Sequence, residues 1–183
     1  MKKMFIALCA GLTAFLLSAA EYHYGFENVA KDEKGIAVPA DWWWYAYFNK
    51  DYGTWGLSED AKEKDFAMRV TSKADAKTYL RIPLKKPFLQ AKSGSTVEIS
   101  FFAKGKGTLG AGLYSYCKKL FFINQTNSDF ITVDSPEYSL QKFKLTVPPA
   151  PADKEIVQIA PVFNIGKGSS FLIDDLKVVI SNK

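Results

Sequence analysis

Apolar and polar residues change places at nearly every step along this chain, in short runs closed by Gly, Pro, Asn, Asp or Lys. A period of two marks a strand with one buried face, and no helical stripe at i, i+3, i+4 is sustained anywhere. The runs predict strands near 22–28, 42–48, 66–71, 77–83, 95–103, 107–117, 119–124, 138–147, 155–165 and 170–180. A short strand near 54–58 and one helical turn over 61–65 are also expected. About ten strands at this spacing predict an all-β, two-sheet antiparallel β-sandwich or a barrel. Pro148, Pro149 and Pro151 cannot enter a sheet interior, so they mark a rigid connection.

The N-terminus has a different character. Lys2 and Lys3 precede an apolar run over 4–17, broken only by Gly11 and Thr13, and Ser18-Ala19-Ala20 follows with small residues. That is the layout of a cleaved secretory signal peptide over 1–20. The run is too short for the ~20 residues that a membrane span needs. A buried N-terminal helix is the other reading of an apolar run, and it leaves the basic pair and the small-residue site unexplained. The expectation is an exported protein, extracellular or periplasmic, with one domain over 21–183 and no membrane span.

Removing 20 residues from 183 leaves 163, enough for one proper core. Without Lys2 and Lys3 the 24 basic residues fall to 22 against 19 acidic, a net charge of +3, and the charges are interspersed. Lysines occur in pairs such as Lys85-Lys86 and Lys118-Lys119, which is no nucleic-acid footprint. Of the 2 cysteines, Cys9 lies in the leader, so Cys117 has no intramolecular disulfide partner. An apolar strand pattern around Cys117 reads as a buried small hydrophobe.

Alternation assigns faces. Val97, Ile99 and Phe101 share a core face, as do Leu80 with Ile82, Phe143 with Leu145 and Val147, and Val157 with Ile159 and Phe163. Tyr79, Arg81, Gln158, Ala160 and Asn164 then point outward. In 107–117, Leu109, Ala111, Leu113 and Cys117 face the core, leaving Gly110, Gly112, Tyr114 and Tyr116 on the other side. Two readings stand. Glycines beside flat rings make a bare floor on which the apolar face of a sugar ring stacks. Alternatively the glycines mark a bulge and the tyrosines cover the sheet. The segment Asp41–Phe48 is aromatic beyond the needs of one core face. Its two parities are Trp42, Trp44, Phe48 and Trp43, Tyr45, Tyr47; the second, with its hydroxyls, is the candidate wet face. Trp55, in a turn-rich stretch, is a candidate rim.

The C-terminal third carries a pattern. Leu140-Gln141-Lys142-Phe143-Lys144-Leu145-Thr146-Val147-Pro148 precedes a strand, and Gly168-Ser169-Ser170-Phe171-Leu172-Ile173-Asp174-Asp175-Leu176-Lys177-Val178 follows it. Tyr24-Gly25-Phe26-Glu27-Asn28, Pro39-Ala40-Asp41-Trp42 and Phe66-Ala67-Met68-Arg69-Val70 come earlier, in order. The set resembles the jelly-roll carbohydrate-binding modules of the galactose-binding-like superfamily, especially those found beside xylanases and glucanases. Leu140 stands where that family usually has tryptophan, and Asp41 where it has glycine. The resemblance implies a galactose-binding-domain-like β-sandwich that binds an oligo- or polysaccharide. It also implies a structural calcium ion (Ca2+) held by Glu27 with Asp174 or Asp175. Alternation places Asp174 inward with Leu172, Leu176, Val178 and Ile180. A carboxylate beside a core needs compensation, from calcium, from backbone N–H groups or from a lysine.

The candidate ligand-binding set is therefore Trp43, Tyr45, Tyr47, Trp55, Tyr79, Arg81, Tyr114, Tyr116, Gln158 and Asn164. The chain has 1 histidine, His23, and no nucleophile elbow, phosphate loop or His/Cys metal spacing. A glycoside hydrolase or lyase on this fold would need paired carboxylates. Glu98 faces outward without a clear partner, and Asp75, Asp129 and Asp134 fall in turns. A non-catalytic glycan-binding module is the expectation. A surface-assembly module that binds another extracellular or envelope protein through the same aromatics is the alternative.

Overall fold

The computed structural model describes residues 19–44, 51–85 and 88–182, and one long strand organises them. The strands are β1 (Ala19–Tyr24), β2 (Val29–Lys31), β3 (Ala37–Pro39), β4 (Gly53–Ser58), β5 (Ala67–Ser72), β6 (Leu80–Pro83), β7 (Leu89–Gln90), β8 (Thr96–Tyr116), β9 (Phe122–Asn127), β10 (Ile131–Thr146), β11 (Gln158–Ile165) and β12 (Ser170–Ser181). The turn expected as helical over 61–65 is irregular. The strand expected over 42–48 is not one where it is described: Trp42 makes an isolated bridge to Leu84, and 45–50 lie outside the described residues. The two alanines before the expected cleavage point, Ala19 and Ala20, sit in β1 opposite Ser181 and Ile180.

A sheet of 10 strands runs in the order β4-β5-β12-β8-β11-β6, with β1 on β12, β9 and β10 on β8, and β7 on β11. Its ladders are antiparallel. The pair β2–β3 stands apart. The first half of β8 pairs with β12 and β10, and the second half pairs with β11 and β9. One strand thus belongs to both layers, where the sequence pattern predicted two strands and a turn.

The glycines read as that turn are a corner. Gly105 and Gly107 have φ of 129° and 135°, a region that side chains avoid. A Cβ on Gly107 would lie 2.3 Å from Ser169 Oγ. That hydroxyl accepts from Thr108 N at 3.0 Å and donates to Thr108 O at 3.2 Å. The sheet folds over here because the backbone of β8 can meet Ser169 without a side chain between them.

The core fills the space between the layers. Val97, Ile99, Phe101, Leu109, Ala111, Leu113, Leu80, Ile82, Ile159 and Phe163 are buried as their alternation requires. Phe101 meets Phe163 edge-on at 5.0 Å and stacks on Phe143 at 5.8 Å. Trp42 lies 4.6 Å from Phe163 and 6.1 Å from Phe26. Each such pair adds ~1 kcal/mol beyond its burial. Val157, expected among the core residues, is only half-buried, because it precedes β11.

Asp174 departs from its expected face. A bulge interrupts the β12–β8 register between Asp174 and Lys177, and Asp175 takes φ of 48°. The bulge changes parity. Phe171 and Ile173 face the core before it, and Leu176, Val178 and Ile180 after it. Asp174 sits opposite Phe102 on the outer side, and Leu172 is outward too. Yet Asp174 is 1% exposed, because the 60–66 loop covers it. Its Oδ2 accepts from Lys62 N and Glu63 N, both at 2.8 Å, and its Oδ1 from Asp175 N at 2.7 Å. Glu27 Oε1 accepts from Phe66 N at 3.3 Å. Tyr138 donates to Asp60 O at 2.6 Å, and Lys104 pairs with the Asp60 carboxylate. Burial pushes the Asp174 carboxyl above the usual carboxylate range, against the pull of its three N–H donors.

Two outcomes follow from this geometry. Gly107→Ala forces a Cβ into Ser169 at a positive φ and lowers unfolding free energy by about 3 kcal/mol in denaturant titration. Asp174→Ala strands buried N–H groups and costs about 3 kcal/mol by the same measurement. The raised carboxyl favours the protonated native state. Its contribution is therefore full below the ordinary aspartate range and is lost as pH rises through the folded pKa, so the gap between wild type and Asp174→Ala narrows with rising pH.

Candidate functional site

Residues directly opposite each other in a ladder share a face, so register places the outward side chains of the second layer. Gly110 lies opposite Asn164, and Asn164 opposite Arg81. Next come Asn127, Gly112 and Val162, then Gln125, Tyr114 and Ala160, then Phe122, Tyr116 and Gln158, with Gln90 beyond. Six steps of β11 separate Asn164 from Gln158, a stripe of ~20 Å. Tyr79, Arg81, Tyr114, Tyr116, Gln158 and Asn164 are all brought to this stripe, as expected from alternation.

The floor of the stripe is not bare. Asn164 Nδ2 donates to Asn127 Oδ1 at 3.0 Å, and this amide pair lies across Gly112. A Cβ there would be 2.6 Å from Asn127 Oδ1 and 3.1 Å from Asn164 Nδ2. Gly110 is roofed the same way by Ser128, whose Oγ accepts from Ala111 N at 3.0 Å. The glycines make room for polar side chains of neighbouring strands rather than for a ligand. Tyr114 is 8% exposed and Asn164 1%, so neither is the open surface that alternation predicted. Ala160 and Val162 are buried with them, and β11 is covered on both sides.

Rings gather at the two ends. At one end the Arg81 guanidinium lies 4.4 Å from the Tyr79 ring centroid, and its Nη2 donates to Tyr79 Oη at 3.0 Å. Phe130 meets Tyr79 edge-on at 5.4 Å. At the other end Phe88 stacks on Tyr116 at 4.3 Å, and Phe122 lies edge-on to Tyr114 at 5.7 Å and Tyr116 at 6.2 Å. Two buried amide oxygens, Asn164 Oδ1 in the row of Arg81 and Gln158 Oε1 in the row of Tyr116, accept no hydrogen bond among the described residues. A buried acceptor without a donor costs ~1–3 kcal/mol, which marks the two ends of the stripe as its least satisfied polar points.

The remaining aromatic candidates sit elsewhere. Trp55 faces inward on edge strand β4, opposite Val70, and stacks on Trp44 at 5.6 Å. It seals the margin of the core. Trp43 is exposed, and its backbone N donates to Pro83 O at 2.9 Å, beside the β6 edge of the stripe. Tyr45 and Tyr47 lie outside the described residues. Asn127, Phe88, Phe122 and Phe130 were not anticipated. Asn127 shows only once β9 is registered on β8.

The other layer carries a shallow groove of about 580 Å3 on its outer side, lined by Glu98, Phe102, Leu140, Lys142, Lys144 and Lys177 among others. Glu98 faces outward as predicted, and its carboxylate pairs with Lys144 at 3.2 Å.

As arranged, Glu27, Asp174 and Asp175 do not fit a calcium ion. Three N–H donors already occupy Asp174, and their positive ends point at the oxygens a cation would have to meet. Among the described residues no group of three or more His, Cys, Asp or Glu side chains converges for a metal. The carboxylates hold the 60–66 loop directly.

No protein-family model matches the chain, and no curated protein sequence matches it. Solved structures do. The CBM22-2 xylan-binding domain from Paenibacillus barcinonensis Xyn10C superposes with a TM-score of 0.56 at 14% identity, covering 86% of this chain and 97% of that one. The CBM22-1 xylan-binding domain of the same enzyme gives 0.54 at 9% identity, covering 88% and 94%. The CBM22-1–GH10 part of Clostridium thermocellum endo-1,4-beta-D-xylanase 10B, complexed with xylohexaose, gives 0.51 at 19% identity and covers 72% of this chain and 25% of that one. At such identities the likeness is one of fold: the chain is an antiparallel jelly-roll sandwich, as those two domains are.

Proposed function

We propose that this chain is an exported, non-catalytic carbohydrate-binding module, and that its polysaccharide lies along the outward stripe of β9, β8, β11 and β6. The observation that carries this reading is the row of rings and amides gathered in one outward stripe, with Arg81 on Tyr79 at the Asn164 end and Phe88 on Tyr116 at the Gln158 end. Sugar C–H faces suit rings such as Tyr116, and sugar hydroxyls pair with polar tips at the rim of such a stripe. The jelly-roll neighbours that are themselves xylan-binding support the ligand class. Non-catalytic action is supported by Glu98, whose carboxylate is paired with Lys144 in the groove that Asp175 also lines. Export rests on the leader over 1–20, removed after Ala20. The strand residues Glu21 to Tyr24 then remain, tied by Glu21 to Lys177 at 2.8 Å.

Affinity is modest, roughly micromolar to millimolar, because each sugar hydroxyl trades a water hydrogen bond for a protein one at small net gain. The test is a glycan array with the chain from Glu21, beside Tyr116→Ala and Gln158→Ala. Binding to a neutral plant-type polysaccharide such as xylan is expected, falling about tenfold in each variant. No glycan bound, or both variants binding like wild type, overturns the assignment.

We also read Glu27 and Asp174 as a metal-free clamp on the 60–66 loop. The melting midpoint then stays unchanged on adding a calcium chelator. A midpoint that drops with chelator, and does so in wild type but not in Asp174→Ala, would restore the calcium expected from the resemblance.

A further inference from the structure

The hairpin that joins β8 to β9 ends in a tip which the stripe does not use. Lys118, Lys119, Leu120, Phe121 and Phe122 are exposed in succession. Phe121 is 67% exposed, Phe122 52% and Leu120 36%. Beyond Phe122, which belongs to the stripe, Leu120 and Phe121 stand side by side in water, an error in a turn unless it serves a function. The turn itself is tight: Leu120 N donates to Cys117 O at 2.8 Å, and Cys117 N to Phe121 O at 3.1 Å. Closing it puts Leu120 at φ of 61°, in the left-handed region where glycine or asparagine fits without strain. Either residue would remove the strain and the apolar exposure together. A leucine that carries both costs at one exposed position points to a use for its side chain.

The chemistry of the tip selects its partner. Leu120 and Phe121 offer no donor or acceptor, so they cannot hydrogen-bond the hydroxyls of a sugar. Lys118 and Lys119 stand beside them and form no ion pair among the described residues. An apolar wedge with an adjacent pair of ammonium groups matches an anionic lipid surface, where apolar side chains enter the acyl boundary and lysines meet headgroup phosphates. The hairpin is already folded, so insertion pays little ordering entropy. Leu120 and Phe121 are not among the rings of the stripe, whose last ring on β9 is Phe122. We propose that the β8–β9 hairpin tip docks this protein reversibly on anionic lipid membranes.

The test is co-sedimentation of the chain from Glu21 with vesicles of phosphatidylcholine alone, and of phosphatidylcholine mixed with phosphatidylglycerol. Wild type is expected to sediment with the mixed vesicles, less so at high salt, and weakly with the neutral ones. The double variant Leu120→Asn, Phe121→Ser loses at least about tenfold of this binding. Its melting midpoint stays or rises, since asparagine relieves the backbone. Lys118→Glu, Lys119→Glu abolishes the preference for the mixed vesicles. The proposal is overturned if wild type shows no preference for anionic vesicles, if the double variant sediments like wild type, or if the double variant loses glycan binding in place of vesicle binding. An apolar tip that serves a protein groove instead gives the first of these results.

Discussion

Everything in this molecule hangs on β8 being hydrogen-bonded in both layers. A sandwich made of two separate sheets is held by side-chain packing alone. Here the backbone ladder continues around the corner at Gly105 and Gly107, so the layers share a strand as well as a core. The position of the aromatic and amide stripe follows from that corner. It fixes which residues of the second half of β8 turn outward, and it sets β9 and β11 on either side of them.

Alternation along the chain reveals the local part of this architecture. Leu80 and Ile82, Val97 through Phe101, and Phe143 with Leu145 were assigned to the core from their period alone, because face is a property of a few successive residues. What alternation does not reveal is non-local. Gly105 and Gly107 look alike whether the chain reverses or bends, and only their contact with Ser169 and Ser170 decides. Asp174 changed face because of a bulge, which no alternating pattern announces. Tyr114 and Asn164 were placed on the right face but taken to be open. Their burial comes from Asn127 and from rings on other strands. The stripe was therefore legible in direction and composition, and illegible in depth.

The carboxylate at the bulge shows how such a chain holds a loop without a disulfide. Three N–H groups converge on Asp174, and a fourth meets Glu27, so segments from three distant parts of the sequence are joined through acceptors. Hydrogen bonds from backbone N–H groups to these carboxyl oxygens need no ion. The loop they hold also places Lys62 over Phe102, at 5.2 Å, at the margin of the outer groove.

The shared strand has a consequence for how the molecule comes into being. The first layer needs β12, the last of these strands in chain order, to join β1 and β8, which are made long before it. Contacts at such sequence separations fold slowly, since each closes a long loop before it is rewarded. A nascent chain that lacks β12 has neither the partner of β1 nor the backbone of Ser170 and Phe171 that packs on Gly105. It therefore has no complete layer to collapse into. The polypeptide stays open until its last strand is made, and only then can the first layer close.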